Sequence, residues 1–470
     1  MLLASCSAPA VTPTTEVLTE TVPTQTAPAP TKTATALPTA AATAVPHHVD
    51  LDPQAIEGMT VRVWHAQRNE TKALLEKLVQ QFNQENDYGL TVSLHHELSD
   101  TIMNDVLLSP PAKDDFPHLV IADSAWIKAW QTAGYLMTLL QPYIDHPETG
   151  LKVQGVPEVM PQMLAQEQFN GNLTALPLWH HPHLLYYNNA FGQTLGYANP
   201  PANLTDFTKQ ACDALASVNQ DSDPDNDGTG GWIVTNQAGA LMSWLMAFDP
   251  GKSDYSNFPA DSDRDLFINT LNWLRDLYDQ GCIWQSRLPE PYYYFTSHNA
   301  LFYSGTLSEI PIQEQSFNSS ATNALDDWQL IPYPASSAET DPDPWVFSTG
   351  VSAGIFTDTA EEQFAAWVFL SWLMQPENLA ALSLSAQAWP VQDTEEIDHF
   401  YRENASAELI KTLPYRKFIH PSSLPADWMS DELVLSDGFG YAFSQGAKKE
   451  DITLVWEQIL ETINEIQQIR

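Results

Sequence analysis

Apolar positions near the start of the folded body repeat with two periods, one typical of strands and the other of helices. Thr60–Trp64 is a short β-rich run. Residues 70–85 follow it, with Leu74, Leu78 and Phe82 in one apolar row. Because residues three or four apart share one face of a helix, this row predicts an amphipathic helix.

The same alternation continues along the chain and predicts the fold class. Further strands are expected at Leu90–Leu94 and His118–Ala122, and the second leads into a helix that ends at Gly134. Strands and helices that alternate at this spacing build a parallel sheet flanked by helices. The pattern therefore indicates an α/β protein.

The carboxyl ends of the predicted strands are the first candidate for a binding site, because ligands bind beyond these ends in open α/β sheets. Trp64-His65 closes the first strand, and the segment from Asp123 to Trp126 follows the third. We therefore expect two tryptophans near the same edge of the sheet.

The rest of the chain has mainly helical patterns with marked boundaries. Thr359 and Glu362 have the spacing of a capping box ahead of an apolar run that ends before Pro376. Residues 265–280 and 452–466 also carry apolar stripes. These stripes are interpreted as packing faces of the fold.

Composition indicates a globular body with an acidic surface. The 470 residues include 15 tryptophans, and 59 acidic against 20 basic residues give a formal net charge of −39. Such a charge repels nucleic acid and anionic head groups, and it disfavours polyanionic ligands. From Met59 onward, no stretch approaches the ~20 apolar residues of a membrane-spanning helix.

The N-terminus combines a lipobox-like sequence with a Thr-, Pro- and Ala-rich segment. Small residues precede Cys6, as in bacterial lipoproteins. We expect residues 1–6 to be the end of a lipoprotein signal, with Cys6 lipidated, and residues 7–57 to form a disordered tether. This would anchor the folded body outside the cytoplasmic membrane, at the cell surface or in the periplasm. The alternative is an ordinary N-terminus with one chance cysteine.

Two further cysteines leave a choice between a bridge and buried thiols. Cys212 lies in a helical pattern and Cys282 just after another, so their spacing permits a disulfide without requiring it. Outside the cell, a bridge that closes a loop of this length would stabilise the fold by ~4 kcal/mol on the chain-entropy model.

An acidic turn is the one plausible ion motif in the sequence. Asp223, Asp225 and Asp227 alternate ahead of Gly228, as at the start of an EF-hand loop. The twelfth loop position, which should hold a bidentate acid, is Val234. The turn is therefore either solvated or a structural Ca²⁺ site, and no other cofactor is expected.

Short motifs follow one another in a specific order along residues 58–400. They are Trp64-His65, Phe82-Asn83, Phe116–Val120, Gly134–Leu139 with Pro142–Ile144, Ala175–Pro177, Leu185–Asn188 with Asn199–Pro201, Ala365–Leu373 and Trp389–Val391. Each motif is weak alone, but the ordered set resembles the family 1 extracellular solute-binding proteins, the sugar-type receptors of ABC importers. One departure is His118, which stands where the family usually has Asp.

This resemblance implies a two-lobed, periplasmic-binding-protein-like α/β fold with a hinge and a ligand cleft between the lobes. It suggests that residues 58–180 and 303–352 form the first lobe, and residues 181–302 and 353–470 the second. The implied function is capture of a solute outside the membrane, by a monomer, and its delivery to the permease subunits of an ABC transporter.

A carbohydrate, either a mono- or an oligosaccharide, is the favoured solute. Aromatic side chains suit the C–H faces of sugars, and polar groups suit their hydroxyls. The expected ligand-binding residues are Trp64, His65, Gln67, Asp123, Trp126, Trp179, His180, His181, Trp244, Trp345 and Trp389. The histidines around Pro182 are interpreted as neutral cleft residues, because no carboxylate or cysteine accompanies them as in a zinc site. Polyols, peptides and polyamines are the alternative ligands.

Two other function classes compete with a receptor. A secreted glycoside hydrolase needs two carboxylates that flank a bond, and no predicted strand end carries a Glu beside the aromatic residues. The sequence also contains no nucleophile elbow, phosphate-binding Gly loop or Cys-His signature, so no enzymatic activity is expected. A surface adhesin or sensor with the same fold is the second alternative, because a fold does not determine function.

Overall fold

The computed structural model describes residues 51–96, 116–135, 137–218, 230–235, 237–285, 290–336, 344–402, 419–420, 425, 427–444 and 446–469. The strands are β1 (Thr60–His65), β2 (Thr91–His96), β3 (Leu119–Asp123), β4 (Gln168–Phe169), β5 (Asn172–Leu173), β6 (Ala175–Pro182), β7 (Leu184–Asn188), β8 (Gly230–Val234), β9 (Ile283–Gln285), β10 (Ala300–Gly305), β11 (Trp328–Ile331), β12 (Ser348–Ile355) and β13 (Trp389–Pro390). The α-helices are α1 (Asn69–Glu85), α2 (Ser124–Thr132), α3 (Gln141–Ile144), α4 (Pro161–Gln166), α5 (Asn189–Thr194), α6 (Leu204–Val218), α7 (Ala238–Phe248), α8 (Arg264–Asp279), α9 (Tyr292–Thr296), α10 (Ile310–Asn318), α11 (Ala360–Leu373), α12 (Pro376–Ser385), α13 (Glu395–Arg402), α14 (Trp428–Tyr441) and α15 (Ile452–Ile469).

The first lobe is built on a six-stranded sheet with the order β13-β6-β12-β3-β1-β2. β1 runs parallel to both β2 and β3, so the predicted parallel core of strands and helices is confirmed. β12 returns antiparallel between β3 and β6. One hydrophobic cluster covers the face that carries α1 and α11, and a smaller cluster around Trp130 covers the face that carries α2.

Helix α1 forms where the apolar row predicted it. Leu75, Leu78 and Phe82 are buried along one side of the helix. The helix ends at Asn86, whose side-chain amide donates to the carbonyl oxygens of Phe82 (2.8 Å) and Leu90 (3.0 Å). These bonds satisfy carbonyls that the end of a helix leaves open and guide the chain into β2.

At the start of α11, Thr359 is the N-cap as predicted, but the Glu362 carboxylate bonds to the Thr359 hydroxyl and not to its backbone N–H, so the capping box is only half formed. The Thr359 hydroxyl accepts a hydrogen bond from the Glu362 backbone N–H (3.4 Å) and donates to the Glu362 carboxylate (2.8 Å). The helix then places Phe369 5.0 Å from Phe82, ring centre to ring centre, which joins α11 to α1. Local capping and the apolar face therefore agree on where this helix lies.

The second lobe is built on a five-stranded sheet with the order β11-β7-β10-β8-β9. Its outer face is covered by a cluster to which α6, α7, α8, α14 and α15 contribute. Cys212 on α6 and Cys282 just before β9 form a disulfide, so of the two alternatives left open by the sequence the structure contains the bridge.

Beyond residue 302, residues 303–352 were expected in the first lobe and 353–470 in the second. The structure places β12 in the first sheet and α14 and α15 in the second lobe as expected, but it differs over residues 303–331 and 353–390. β10 is buried along its whole length and lies between β7 and β8, which places it in the second lobe together with β11. Residues 360–390 instead carry α11, α12 and β13, which pack on the first sheet. Because both faces of β10 are buried in the second lobe, the strand is assigned to that lobe. Short motifs do not report such burial.

The chain crosses between the lobes at positions that form a hinge. β6 leads directly into β7 through Pro182 and His183, and the segment before β12 makes the second crossing. In the second crossing, Val346 also forms a β-bridge with Ile419. Beside this bridge, the His420 backbone N–H donates a hydrogen bond to the Val346 carbonyl (3.0 Å). Several crossings of this kind allow the lobes to rotate while they stay in register.

Three sequence predictions fall on residues for which no structure is described. Cys6 and residues 7–50 of the tether lie before residue 51, and Asp223, Asp225 and Asp227 lie between residues 218 and 230. The end of the predicted tether is wrong, because Pro53–Ile56 forms a 3-10 helix and Ile56 is buried in the first core. Within the described residues, no helix is both long enough and apolar enough to span a membrane.

Candidate functional site

Strand register brings most of the predicted site residues to one edge of the first sheet. His65 pairs with Ile121 in parallel, so β1 and β3 end at the same edge, where Asp123 also lies. β12 runs antiparallel to β3 and begins at this edge. His181 at the end of β6 pairs with Thr349 at the beginning of β12, so the crossing histidines reach the edge as well.

Trp64 is the most accessible aromatic residue at this edge among those predicted from the ends of the first-lobe strands. Its ring is half-buried, 5.3 Å from the His95 ring and 6.1 Å from the Phe116 ring. These neighbours fix the indole plane while part of its surface stays in contact with solvent. A held, partly exposed indole is suited to stacking on an apolar face of a ligand.

His65, directly after Trp64, is buried and neutral at physiological pH. Its Nδ1 accepts a hydrogen bond from the Gln67 N–H (3.3 Å), and its ring lies 5.1 Å from His96. Burial lowers its pKa to about 4, with smaller contributions from the positive charges that His96, Lys72 and His95 carry when protonated. His65 therefore shapes the loop that carries the half-buried Gln67.

Asp123 caps helix α2 at the same edge. Its carboxylate is half-buried and accepts a hydrogen bond from the Ala125 N–H (2.8 Å). Such a carboxylate stabilises the N-terminus of a helix, where backbone N–H groups lack partners. Asp123 thus joins the end of β3 to the start of α2 at this edge.

A buried polar network under α2 escaped the sequence analysis. The Ser124 hydroxyl donates to the Glu167 carboxylate (2.9 Å) and lies 2.8 Å from the Ser352 hydroxyl on β12. Burial lowers the pKa of Lys128 to about 8, although the nearby carboxylates of Glu167 and Asp123 act in the opposite direction. Burial also raises the pKa of Glu167. The network joins α2 to β12, and no local sequence pattern announces it because its members are far apart in the chain.

The crossing histidines are neutral, as predicted from their sequence context. His180 is fully buried with Nδ1 3.1 Å from the Ser348 hydroxyl, and burial lowers its pKa to about 3, helped by His181. Burial lowers the pKa of His181 and of His183 to about 4. Of the two histidines that the sequence assigned to the site, His180 is fully buried and His181 is half-buried, so His181 lies closer to solvent.

His183 lies against the second lobe at the hinge. A Cβ at Gly239, near the start of α7, would come within 2.0 Å of the His183 ring, so this approach requires glycine. On its other side, the ring lies 5.4 Å from Phe347 in the second crossing. The sequence analysis did not assign His183 to the site, and the structure makes it a hinge contact.

Three of the predicted tryptophans, Trp126, Trp179 and Trp389, are buried. Trp179 and Trp389 lie in the first core, where Trp389 pairs with His180. Trp126 is 2% exposed and belongs to the cluster on the α2 face, against which Met429 of the second lobe packs. In this arrangement of the lobes none of the three can touch a ligand, so their predicted direct contacts are not supported. The apolar area of an indole is large, and packing takes it into the core.

Trp244 is placed wholly inside the second lobe, contrary to its predicted role. It has no exposed surface and packs at 5.5 Å from Trp232, 5.2 Å from Trp273 and 4.8 Å from Tyr333. Its expected contact with a ligand is therefore corrected to a core position. The sequence placed it by analogy with relatives, whereas α7 is apolar except for Ser243 and is buried from Ala238 to Ala247.

Trp345 lies in the second crossing, a few residues before β12. The ring is half-buried, its Nε1 donates to the Pro250 carbonyl (3.1 Å), and it lies 5.1 Å from the His420 ring. His420 in turn receives a hydrogen bond from the Gln166 amide at its carbonyl (2.5 Å). Trp345 thus links the two lobes, and sequence reasoning missed its partners because they come from distant segments.

Comparison with known proteins assigns the chain to a family. A family model described as bacterial extracellular solute-binding protein matches residues 77–405, more than half of the chain. No curated protein matches the sequence.

Solved structures share the fold at low sequence identity. The sugar-binding protein MalE from Xanthomonas citri matches with a TM-score of 0.68 at 16% identity, over 87% of this chain and 98% of that one. The cyclic alpha-maltosyl-1,6-maltose binding protein from Arthrobacter globiformis has a TM-score of 0.64 at 16% identity, over 86% and 98%. UgpB from Mycobacterium tuberculosis, in complex with glycerophosphocholine, has a TM-score of 0.61 at 18% identity, over 87% and 99%. The predicted two-lobed fold is confirmed, and the chain belongs to the bacterial extracellular solute-binding protein family.

Proposed function

We propose that the chain captures a carbohydrate between its two lobes and delivers it to the permease of an ABC importer. The observation that carries this proposal is the edge of the first sheet, where β1 and β3 end together and bring half-buried Trp64, Gln67 and Asp123 to the same edge. An indole face and neutral or hydrogen-bonding side chains are the groups that a sugar requires. Proteins of the same fold are named as binding maltose-type sugars, which supports the class of ligand.

The neutral histidines at the hinge favour an uncharged ligand. His181 has its pKa lowered to about 4 by burial, so it offers one N–H donor and one acceptor nitrogen at neutral pH. A hydroxyl can use both roles, whereas a phosphate would require cationic partners. We therefore place a neutral sugar ahead of a phosphorylated one.

Thermal unfolding of the full chain against a panel of mono- and oligosaccharides tests this proposal, with polyamines and peptides as controls. A sugar at a hundred times its Kd should stabilise the fold by about 2.7 kcal/mol and raise Tm. A shift with a polyamine or peptide but with no sugar would contradict the carbohydrate assignment. NMR spectra of the bound sugar after prolonged incubation should show it unchanged, as a receptor without enzymatic activity requires.

We propose further that Cys6 is lipidated and that residues 7–50 act as a tether. The small residues before Cys6 and the Thr-, Pro- and Ala-rich composition support this. In a bacterial host, Cys6→Ser should move the protein from the membrane fraction to the soluble extracytoplasmic fraction. Retention in the membrane would contradict the anchor.

A structural Ca²⁺ at Asp223, Asp225 and Asp227 is proposed on their alternating spacing. Repeating the unfolding measurement in Ca²⁺ and in EDTA checks it. A Tm that is lower in EDTA for the native chain, but not for Asp225→Asn, is the expected result. Equal Tm values in both conditions would contradict a calcium site.

A further inference from the structure

A cavity of about 310 Å³ lies at the edge of the first lobe opposite to Trp64. On the side of Trp64, β1 ends at His65 and α1 begins at Asn69. The cavity lies at the other end of α1, beyond Glu85. A helix rises ~1.5 Å per residue, so the length of α1 separates the two places by about 25 Å. The cavity is therefore distinct from the solute cleft.

Aromatic side chains form much of the cavity lining. Tyr88 and Trp372 are half-buried and line it together with the buried rings of Phe82 and Trp367. The Phe82 and Trp372 rings are 5.4 Å apart. The Trp367 Nε1 donates a hydrogen bond to the Thr149 carbonyl (3.0 Å). This bond holds the lining segment around Thr149 against α11. These contacts keep the shape in place without a ligand.

The neutral polar groups of the lining are already engaged within the protein. The Asn86 amide bonds to the backbone on both sides of its turn. The Thr149 carbonyl also accepts from the Gln154 amide (2.6 Å), and the Ser371 hydroxyl donates to the Val368 carbonyl (3.1 Å). The charged side chains of the lining are all carboxylates.

Three exposed carboxylates surround the aromatic lining, namely Glu85, Asp87 and Glu148. The lining contains no Lys, Arg or His. Among the ion pairs of the described residues, none involves these three acids. The cavity therefore combines aromatic walls with three acidic residues and no basic residue in its lining.

We propose that this cavity binds a small organic ammonium cation with an apolar body. Aromatic rings attract cations through their quadrupoles, and more strongly where the site is shielded from water. The carboxylates add attraction of the same sign. The volume is at the lower end of small-molecule sites, which are roughly 300–1,000 Å³. The site is independent of the carbohydrate cleft, and either can exist without the other.

Calorimetric titration of the full chain at low salt tests the proposal with two isosteric probes. Choline carries a quaternary ammonium, and 3,3-dimethylbutan-1-ol replaces its nitrogen by carbon. We expect choline to bind once per chain and at least about tenfold more tightly than the neutral alcohol, which corresponds to ~1.4 kcal/mol. Equal affinities, or no measurable binding of choline, would overturn the proposal.

Variants locate the binding and separate it from the cleft. Asp87→Asn with Glu148→Gln should weaken choline binding at least about fivefold because both acids are exposed and their loss removes charge without disturbing the core. Glu76→Gln, on the exposed side of α1 and outside the cavity, is the matched control and should change the affinity less than about twofold. Trp372→Leu should weaken choline binding, whereas Trp64→Leu should leave it unchanged. Loss in Trp64→Leu with retention in Trp372→Leu would place choline in the cleft and overturn the second site.

Discussion

The edge of the first sheet and the core of the second lobe both hold tryptophans, but they use them differently. Trp64 ends a strand, is half-buried and has polar residues next to it in the chain. Trp244 lies in the middle of an apolar helix, surrounded by Trp232, Trp273 and Tyr333. The abundance of tryptophan therefore does not locate the binding site. The proposed site is marked instead by a tryptophan near the end of a strand that keeps part of its surface exposed.

The largest effect that sharpens this comparison should come from Trp244→Ala. Replacing a fully buried indole leaves a cavity and loses apolar burial, so the free energy of unfolding should fall by about 3–5 kcal/mol. Urea unfolding followed by circular dichroism measures it. Trp64→Ala is the matched comparison and should lose clearly less, since its ring is only half-buried. Equal losses would mean that Trp64 is also a core residue.

The second lobe should also lose stability when its disulfide is removed. Cys212→Ala with Cys282→Ala opens the link between α6 and the start of β9, and typical native bridges contribute about 2–4 kcal/mol. The unfolding midpoint in urea should fall accordingly, while the dissociation constant for the solute should stay near its native value because the bridge is not at the cleft edge. An unchanged midpoint would contradict this contribution.

Much of the fold follows from local pattern, and these two lobes show where pattern stops. The apolar row of α1 and the spacing of Thr359 and Glu362 predicted helices that the structure contains. The ends of β1 and β3 predicted a shared edge, and register confirms it. These features depend on neighbours in sequence, whose periodicity is visible without a structure.

The assignments that failed depend on contacts between distant segments. β10 joins the second sheet because it pairs with β7 on one side and β8 on the other. Nothing within Ala300–Gly305 specifies these partners. Trp179 and Trp389 are drawn into the core by each other's strands. The pair Lys128 and Glu167 under α2 likewise needs two segments to meet before it becomes visible.

Acid should distinguish the crossing histidines from exposed ones. Burial lowers the pKa of folded His180 to about 3, against about 6.5 when unfolded. As the pH falls below about 6.5, the unfolded chain takes up a proton that the folded chain refuses, so this contribution to stability is complete above that pH and is lost toward pH 3. The loss amounts to about 1.4 kcal/mol per pH unit.

The variant His180→Gln isolates this contribution. Its free energy of unfolding should fall less steeply between pH 6 and pH 4, by about one proton's worth of slope relative to the native chain. Urea unfolding at several pH values gives the slopes. Parallel curves for the native chain and the variant would show that His180 is protonated in the folded state and contradict its burial as a neutral group.

The central claim is that a sugar binds at the edge of the first sheet, where Trp64 lies, and that the tryptophans of the second lobe do not contact it. The direct measurement is a calorimetric titration of the best sugar from the panel into the native chain, Trp64→Ala and Trp244→Phe. Truncation of a residue that dominates binding costs about 2 kcal/mol or more, so Trp64→Ala should bind at least about tenfold more weakly. Trp244→Phe should keep the native affinity. Native affinity in Trp64→Ala, together with loss in Trp244→Phe, would contradict the account.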